Sequence, residues 1–193
     1  MNGNLSWRSI FVTPFAMPMR LTALKKRAYL KGIELVYRLC QKMGGYYIGA
    51  NAEFAQWPFF PHGYSGVYIS GGARVGRRYV VFRQVTIGSD SLAGSGKTGS
   101  PTIGDDCYIG AGAKNIGSVK ICNGCRIGAN AVVYKDVPPN STVVGAWGGE
   151  RGIEHSQPMG NRFYNNGPSG WQYWDGEKFV SCIANNDTAV IKR

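Results

Sequence analysis

Two histidines, five cysteines and one glycine–lysine loop hold most of this chain's capacity for chemistry. Imidazole is the side chain best suited to accept a proton near neutral pH, so the histidines come first. His155 sits in Gly152-Ile-Glu-His-Ser156 and reads most simply as a surface residue. His62, in Phe60-Pro-His-Gly-Tyr64, is by position alone as compatible with a structural role as with proton transfer. Cys122-Asn-Gly-Cys125 has the spacing of half a zinc site or of a redox dithiol. A structural zinc site needs about four ligands, and no second paired-cysteine motif or nearby histidine supplies them. Gly94-Ser-Gly-Lys-Thr98 superficially resembles a phosphate loop, yet lacks the glycine spacing and the strand-to-helix context that such loops require. No metal site is expected.

The elements that must position these groups are written in a six-residue period. Between Ile69 and Val133 an aliphatic residue returns every six positions: Ile69, Val75, Val81, Ile87, then Ile103, Ile109, Ile121, Ile127 and Val133. Gly76, Gly88, Gly104, Gly110 and Gly128 follow one place later. A period of six is neither helical nor the alternation of one strand, and it signals internal repetition. Stacked coils bury the recurring aliphatic, and glycine lets the chain turn between short strands. Three such units close one triangular coil, so residues eighteen apart stack on one face. Cys107 and Cys125 are eighteen apart, each two places before its aliphatic, and both should point inward as small apolar thiols. Asn115 occupies a slot where an aliphatic is due, which predicts a locally distorted coil.

The remaining chain flanks this prism. Residues 1–45 combine a proline-broken apolar stretch with a helical pattern from Leu21 to Met43. Leu21, Leu24, Ala28, Leu35 and Leu39 form its apolar side and Lys25, Lys26, Arg27, Lys31, Arg38 and Lys42 its basic side. Such a helix suits the open end of a solenoid, where bare core and unpaired strand edges must be covered. It also suits a peripheral contact with an anionic membrane surface. Residues 46–153 carry the repeats, interrupted by a serine- and glycine-rich loop at 89–101 that reads as a flexible, functional excursion. Residues 154–193 lose the period, and Trp171-Gln-Tyr-Trp-Asp-Gly-Glu-Lys-Phe179 reads as a hairpin around Asp175-Gly176. The net charge of +11 favours anionic partners. No nucleic-acid module is recognisable, so nucleic acid is not an expected partner. The odd cysteine count, without framework spacing or a signal peptide, points to a reducing, cytoplasmic setting.

The stretch Pro101-Thr-Ile-Gly-Asp-Asp-Cys-Tyr-Ile-Gly-Ala-Gly-Ala-Lys114, continued through Ile127-Gly-Ala-Asn-Ala-Val-Val133 to Lys135-Asp-Val-Pro-Pro-Asn140, resembles the hexapeptide-repeat acyltransferases. Within them it looks most like the serine acetyltransferase branch, over roughly residues 47–145. The resemblance implies an all-β, left-handed parallel β-helix with a short N-terminal helical segment and a small C-terminal β extension. It also implies a homotrimer with acetyl-CoA as co-substrate. It puts His62 at the catalytic histidine, acting as general base in direct transfer. The matching stretches put Ala111 and Ala129 on the cofactor groove wall and Ser95, Gly96 and Lys97 near the thioester arm. Arg126, Lys135 and Arg151 would meet the CoA phosphates.

Two positions depart from the serine-specific pattern. Tyr47 stands where an aspartate would orient the base, leaving Glu53 or a backbone carbonyl as substitutes, and Ser100 stands where a second histidine would be. These departures, with the aromatic residues Trp57 and Tyr64 (and Trp171 and Trp174 in the tail), favour a carbohydrate hydroxyl as acceptor, in capsule or other surface-polysaccharide biosynthesis. Trp57, Tyr64 and Ser100 are then the acceptor-binding residues, although ordinary packing accounts equally for each aromatic. The alternatives are a serine or other small-molecule acetyltransferase, and a non-catalytic polysaccharide-binding β-helix.

Overall fold

The structure is a computed structural model that describes residues 5–6, 23–147, 152–154, 160–167 and 170–182. Short parallel strands stack on three faces of a triangular, left-handed β-helix. The first face carries Glu53–Phe54, Arg74–Val75, Thr102–Ile103 and Lys120–Ile121. The second carries Val80–Val81, Tyr108–Ile109, Arg126–Ile127 and Ser141–Val143. The third runs from Tyr47–Ile48 through Tyr68–Ile69, Thr86–Gly88, Lys114–Ile116 and Val132–Val133 to Ala146–Trp147. In most of these strands the second residue points inward and is buried, while the first faces outward. Inward ladders such as Val81–Ile109–Ile127–Val143 are therefore continuous apolar columns.

Spacing along the third face locates the insertions. Ile69 and Ile87 are eighteen residues apart, and Asn115 and Val133 are again eighteen apart. Ile48 and Ile69 are twenty-one apart, and the extra residues fall at the corner that holds His62. Ile87 and Asn115 are twenty-eight apart, and the excess is the loop 89–101. Both insertions leave the prism at corners, where extra chain breaks no ladder.

Asn115 does not distort its coil, contrary to the expectation from its polarity. It keeps the inward register between Ile87 and Val133 and is fully buried. Its Nδ2 donates to Thr86 O at 3.4 Å, while Oδ1 finds no partner. The ladder on both sides outweighs one misplaced amide. Cys107 and Cys125 both point inward and are fully buried. The neighbouring Cys125 sulfur and then burial push the Cys107 thiol well above its ordinary range, so it stays protonated. Cys122 is only half-buried, so the two cysteines of the Cys-x-x-Cys stretch do not share one side of the coil.

Helix α1 spans Ala23–Gly44 and covers the N-terminal end. The described contact with the coil end is polar: Tyr37 Oη and Gln41 Nε2 both donate to Ile48 O, at 2.8 and 3.3 Å. Leu35 and Leu39 remain exposed. An edge strand presents unpaired carbonyls, and these donors satisfy one of them. Strand Leu5–Ser6 adds antiparallel to Glu53–Phe54, extending the first face. No helix among the described residues is long and apolar enough to cross a membrane.

The tail forms a three-stranded antiparallel sheet of Tyr164–Gly167, Gly170–Trp174 and Phe179–Ser181. Its second turn is closed by Asp175 Oδ1, which accepts from the backbone N–H of Glu177 and Lys178. The sheet docks on the second face, where Trp174 stacks on Phe59 with centroids 4.5 Å apart.

Candidate active site

His62 lies on the enlarged corner between the second and third faces and is exposed. Its ring rests 5.5 Å from Phe82 and 6.4 Å from Phe163, measured between centroids. Phe82 follows the second-face strand directly below, and Phe163 belongs to the tail. Among the described residues the imidazole has no hydrogen-bond partner, and its ring contacts are aromatic. Glu53 does not orient it: that carboxylate is on the first face, where Arg74 Nε reaches it at 3.3 Å. Tyr47, at the aspartate position, points outward on the third face and stacks on Tyr68 at 4.9 Å.

Ala111 and Ala129 share the corner of His62, one coil apart and both exposed. Asn130 N donates to Ala111 O at 2.8 Å, which ties the two turns together. The chain is tight here because a Cβ on Gly110 would come within 2.7 Å of Ala129 N. Exposed small residues in close turns keep this corner free of bulky side chains at Ala111 and Ala129.

Ser95, Gly96, Lys97, Ser100 and Lys135 gather at a different corner, between the third and first faces. The loop 89–101 is folded down there instead of flexing freely. Asp90 and Gly99 bridge it antiparallel, Ser118 N donates to Lys97 O at 2.8 Å, and Lys97 Nζ reaches Asp136 Oδ1 at 3.0 Å. The N–H of Lys120 and then Lys97 hold the Asp136 carboxyl below its ordinary range. Ser100 Oγ pairs with Ser70 Oγ at 2.9 Å. Lys135 is exposed beside Asp136.

Arg126 and Trp57 stand elsewhere, and Tyr64 shares the enlarged corner of His62. Arg126, on the second face, donates through Nε to Asn161 Oδ1 and through an Nη to Gly160 O at 3.1 Å, so it clamps the tail. Trp57 is half-buried against Phe54 and Phe60 and packs on the core. Tyr64 is exposed but sits edge-on to Tyr46 and Phe60. Arg151 and His155 lie outside the described residues.

Residue spacing gave no hint of Phe82, Phe163 or Asn161. Asn161 Nδ2 donates to the carbonyls of Asp106, Gly124 and Cys125 at 2.9, 2.8 and 3.2 Å, which seats the tail against the corner between the first and second faces. A cleft of about 440 Å³ opens there between Arg78, Asp106, Asn123, Arg162 and Trp174. His62 is not among its walls, and Arg78 and Asp106 are spent on each other in a bidentate pair. Size alone does not make it the reactive site.

Comparison with known proteins fits this geometry. Residues 100–135 match the bacterial transferase hexapeptide family, described as six repeats. A serine acetyltransferase of Mycobacterium tuberculosis is 42% identical over 111 residues, covering 58% of this chain and 44% of that protein. One from Helicobacter pylori is 35% identical over 127 residues, covering 64% of this chain and 71% of that protein. The crystal structure of Neisseria gonorrhoeae serine acetyltransferase superposes with a TM-score of 0.54 at 31% identity, over 69% of this chain and 52% of the other. The chain spans about half the length of several curated relatives that it matches. These relatives favour the small-molecule alternative over a polysaccharide acceptor. Repeat, prism and relatives agree that the chain belongs to the hexapeptide-repeat acyltransferase family.

Proposed function

We propose that this chain is an acetyl-CoA-dependent O-acetyltransferase acting on the hydroxyl of a small molecule, with His62 as general base. The observation that carries the reading is an exposed imidazole on the same corner as the small, exposed residues Ala111 and Ala129. In the reaction a His62 nitrogen takes the acceptor's hydroxyl proton as the oxygen attacks the thioester carbonyl. The carbon–sulfur bond then breaks, and the CoA thiolate leaves and takes the proton from the imidazolium. Serine is the first acceptor to try, because the curated relatives carry that name.

A saccharide hydroxyl is the second reading. Tyr47 and Ser100 favour it, since they replace the base-orienting carboxylate and the second histidine of the serine-specific pattern.

The assembly belongs to the same proposal. His62 stands on one corner of the prism, and Lys97, Ser100 and Lys135 stand on another, so one copy does not gather them. A threefold assembly sets a corner of one copy against a different corner of its neighbour. A homotrimer with composite sites therefore accounts for both groups.

The test is CoA release from acetyl-CoA with serine, other amino acids, amino sugars and neutral sugars as acceptors, for the unaltered protein and for His62→Ala. Release with serine supports the first reading, and release with sugars alone favours the second. Unchanged release in His62→Ala removes His62 from the chemistry.

A further inference from the structure

The C-terminal sheet does more than cover a face of the prism. The geometry points to Phe163 as the positioning residue of His62, delivered by the tail and replacing in function the missing carboxylate. This rests on the reading of His62 as the base.

A general base must be held in one orientation while the proton moves, and the usual device is a hydrogen bond to its second nitrogen. Neither Tyr47 nor Glu53 supplies one, for the reasons of position given above. What touches the imidazole instead is a pair of rings. Phe82 is tilted at 57° to it and Phe163 stands nearly perpendicular at 85°, so the two rings meet it at different inclinations. Phe82 and Phe163 are themselves in contact, with centroids 6.1 Å apart. Aromatic contacts are orientation-dependent, so the edge-to-face contact of Phe163 added to the tilted contact of Phe82 restricts the imidazole where one contact leaves a swinging degree of freedom.

Phe163 is fixed more firmly than a tail residue need be. Two places before it, Asn161 is 9% exposed and fills three carbonyls of the prism with one amide, while Arg126 grips Asn161 Oδ1 and Gly160 O. On the other side Phe163 O accepts from Trp174 N at 2.9 Å, which ties it into the sheet that stacks on Phe59. The clamp therefore sits on the corner between the first and second faces, and its product is delivered to the next corner, beside His62. A decorative extension has no need for a three-carbonyl anchor two places before the tail ring that reaches the base.

The experiment uses the full chain with Phe163→Ala, Phe163→Tyr and Asn161→Ala. The first readout needs no acceptor: with two histidines in the chain, the His62 ring signals in a proton–carbon NMR spectrum are assigned by their loss in His62→Ala. Phe163→Ala and Asn161→Ala should move these signals toward those of free histidine, and Phe163→Tyr should leave them near their original place. The second readout is CoA release. Phe163→Ala should lower kcat by about tenfold or more with KM for acetyl-CoA within about twofold, the pattern of a lost transition-state contact. Phe163→Tyr should restore most of kcat. Should Phe163→Ala disturb folding, Phe163→Leu, which keeps bulk without a ring, is read the same way. Unmoved His62 signals, or full kcat in the ringless variants, overturn the inference. Full turnover in His62→Ala overturns the general-base reading instead, and the NMR arm still reports whether Phe163 holds the ring.

Discussion

Two neighbouring corners of the same prism are built to opposite specifications. Between the first and second faces, side chains stand in for the backbone partners that turns lack. Asp105 Oδ1 accepts from Arg77 N at 2.7 Å, Asn123 Oδ1 from Asp105 N at 2.9 Å, and Gln56 Oε1 from Arg78 N at 3.0 Å. Asn161 completes the set from the tail, and Arg78 and Asp106 close it with a double hydrogen bond. Between the second and third faces, the exposed turns instead carry Ala111, Ala129 and an imidazole without a polar partner among the described residues. A corner whose polar groups are satisfied by its own chain holds the fold. A corner whose turns are tied mainly by backbone bonds and carry small exposed side chains has room for a ligand. Stability and activity should therefore separate by corner.

The largest test of that separation is His62→Ala. CoA release should fall by about 10²–10⁴-fold, the usual contribution of a general base. The urea midpoint should barely move, by less than about 0.5 kcal/mol, because the side chain is exposed. Loss of folding along with activity would blur the contrast between the corners.

Next in size is Gly110→Ala, which asks whether the open corner tolerates any added bulk. The new methyl would meet Ala129 N at 2.7 Å and Ile127 O at 2.9 Å, both backbone atoms of the adjacent coil. A cost of about 1–3 kcal/mol is expected by urea denaturation, together with weaker acetyl-CoA binding if the groove runs there. Asn161→Ala strikes the satisfied corner instead. It leaves the carbonyls of Asp106 and Gly124 short of a donor, while Cys125 O keeps Tyr108 N, for about 1–3 kcal/mol. Tryptophan emission follows it, since Trp174 reports docking of the tail.

Two smaller effects sharpen the picture away from these corners. Asn115→Val removes a buried acceptor without a partner and restores the aliphatic column, so it should stabilise by about 1 kcal/mol in the same assay. The last concerns the loop on the third corner. Asp136 is held below the ordinary carboxylate range by the Lys120 N–H and then by Lys97, so its contribution is present above the unfolded-state value. It is lost as pH falls through the lower, folded-state value. Proteolysis within 89–101 should therefore speed up only on strong acidification, and Asp136→Asn should remove that pH dependence.

The period of six in Ile69, Val75, Val81 and Ile87 made the prism legible without coordinates, since each residue votes for the same register. That register also placed Cys107 and Cys125 inside, because inward position depends only on local count. Where single residues break the count, local reasoning failed. Asn115 was expected to buckle its coil, but the ladder on either side holds it in place. Arg126 looked like a free cation for a phosphate, yet a segment thirty-five residues later occupies it. The helical pattern over Leu21–Met43 carried no sign that Tyr37 and Gln41 would donate to Ile48 O at the coil end.

The chain's own order of residues thus determined the coil, its corners and the exposure of small groups along them. These follow from steric and hydrophobic rules that act between near neighbours and recur every turn. Only the tertiary structure decided what stands beside His62. Phe82 comes from the next coil and Phe163 from the tail, and neither is related to the histidine by any period. Contacts between elements of unlike repeat are set by docking, and docking depends on surfaces that no local pattern encodes.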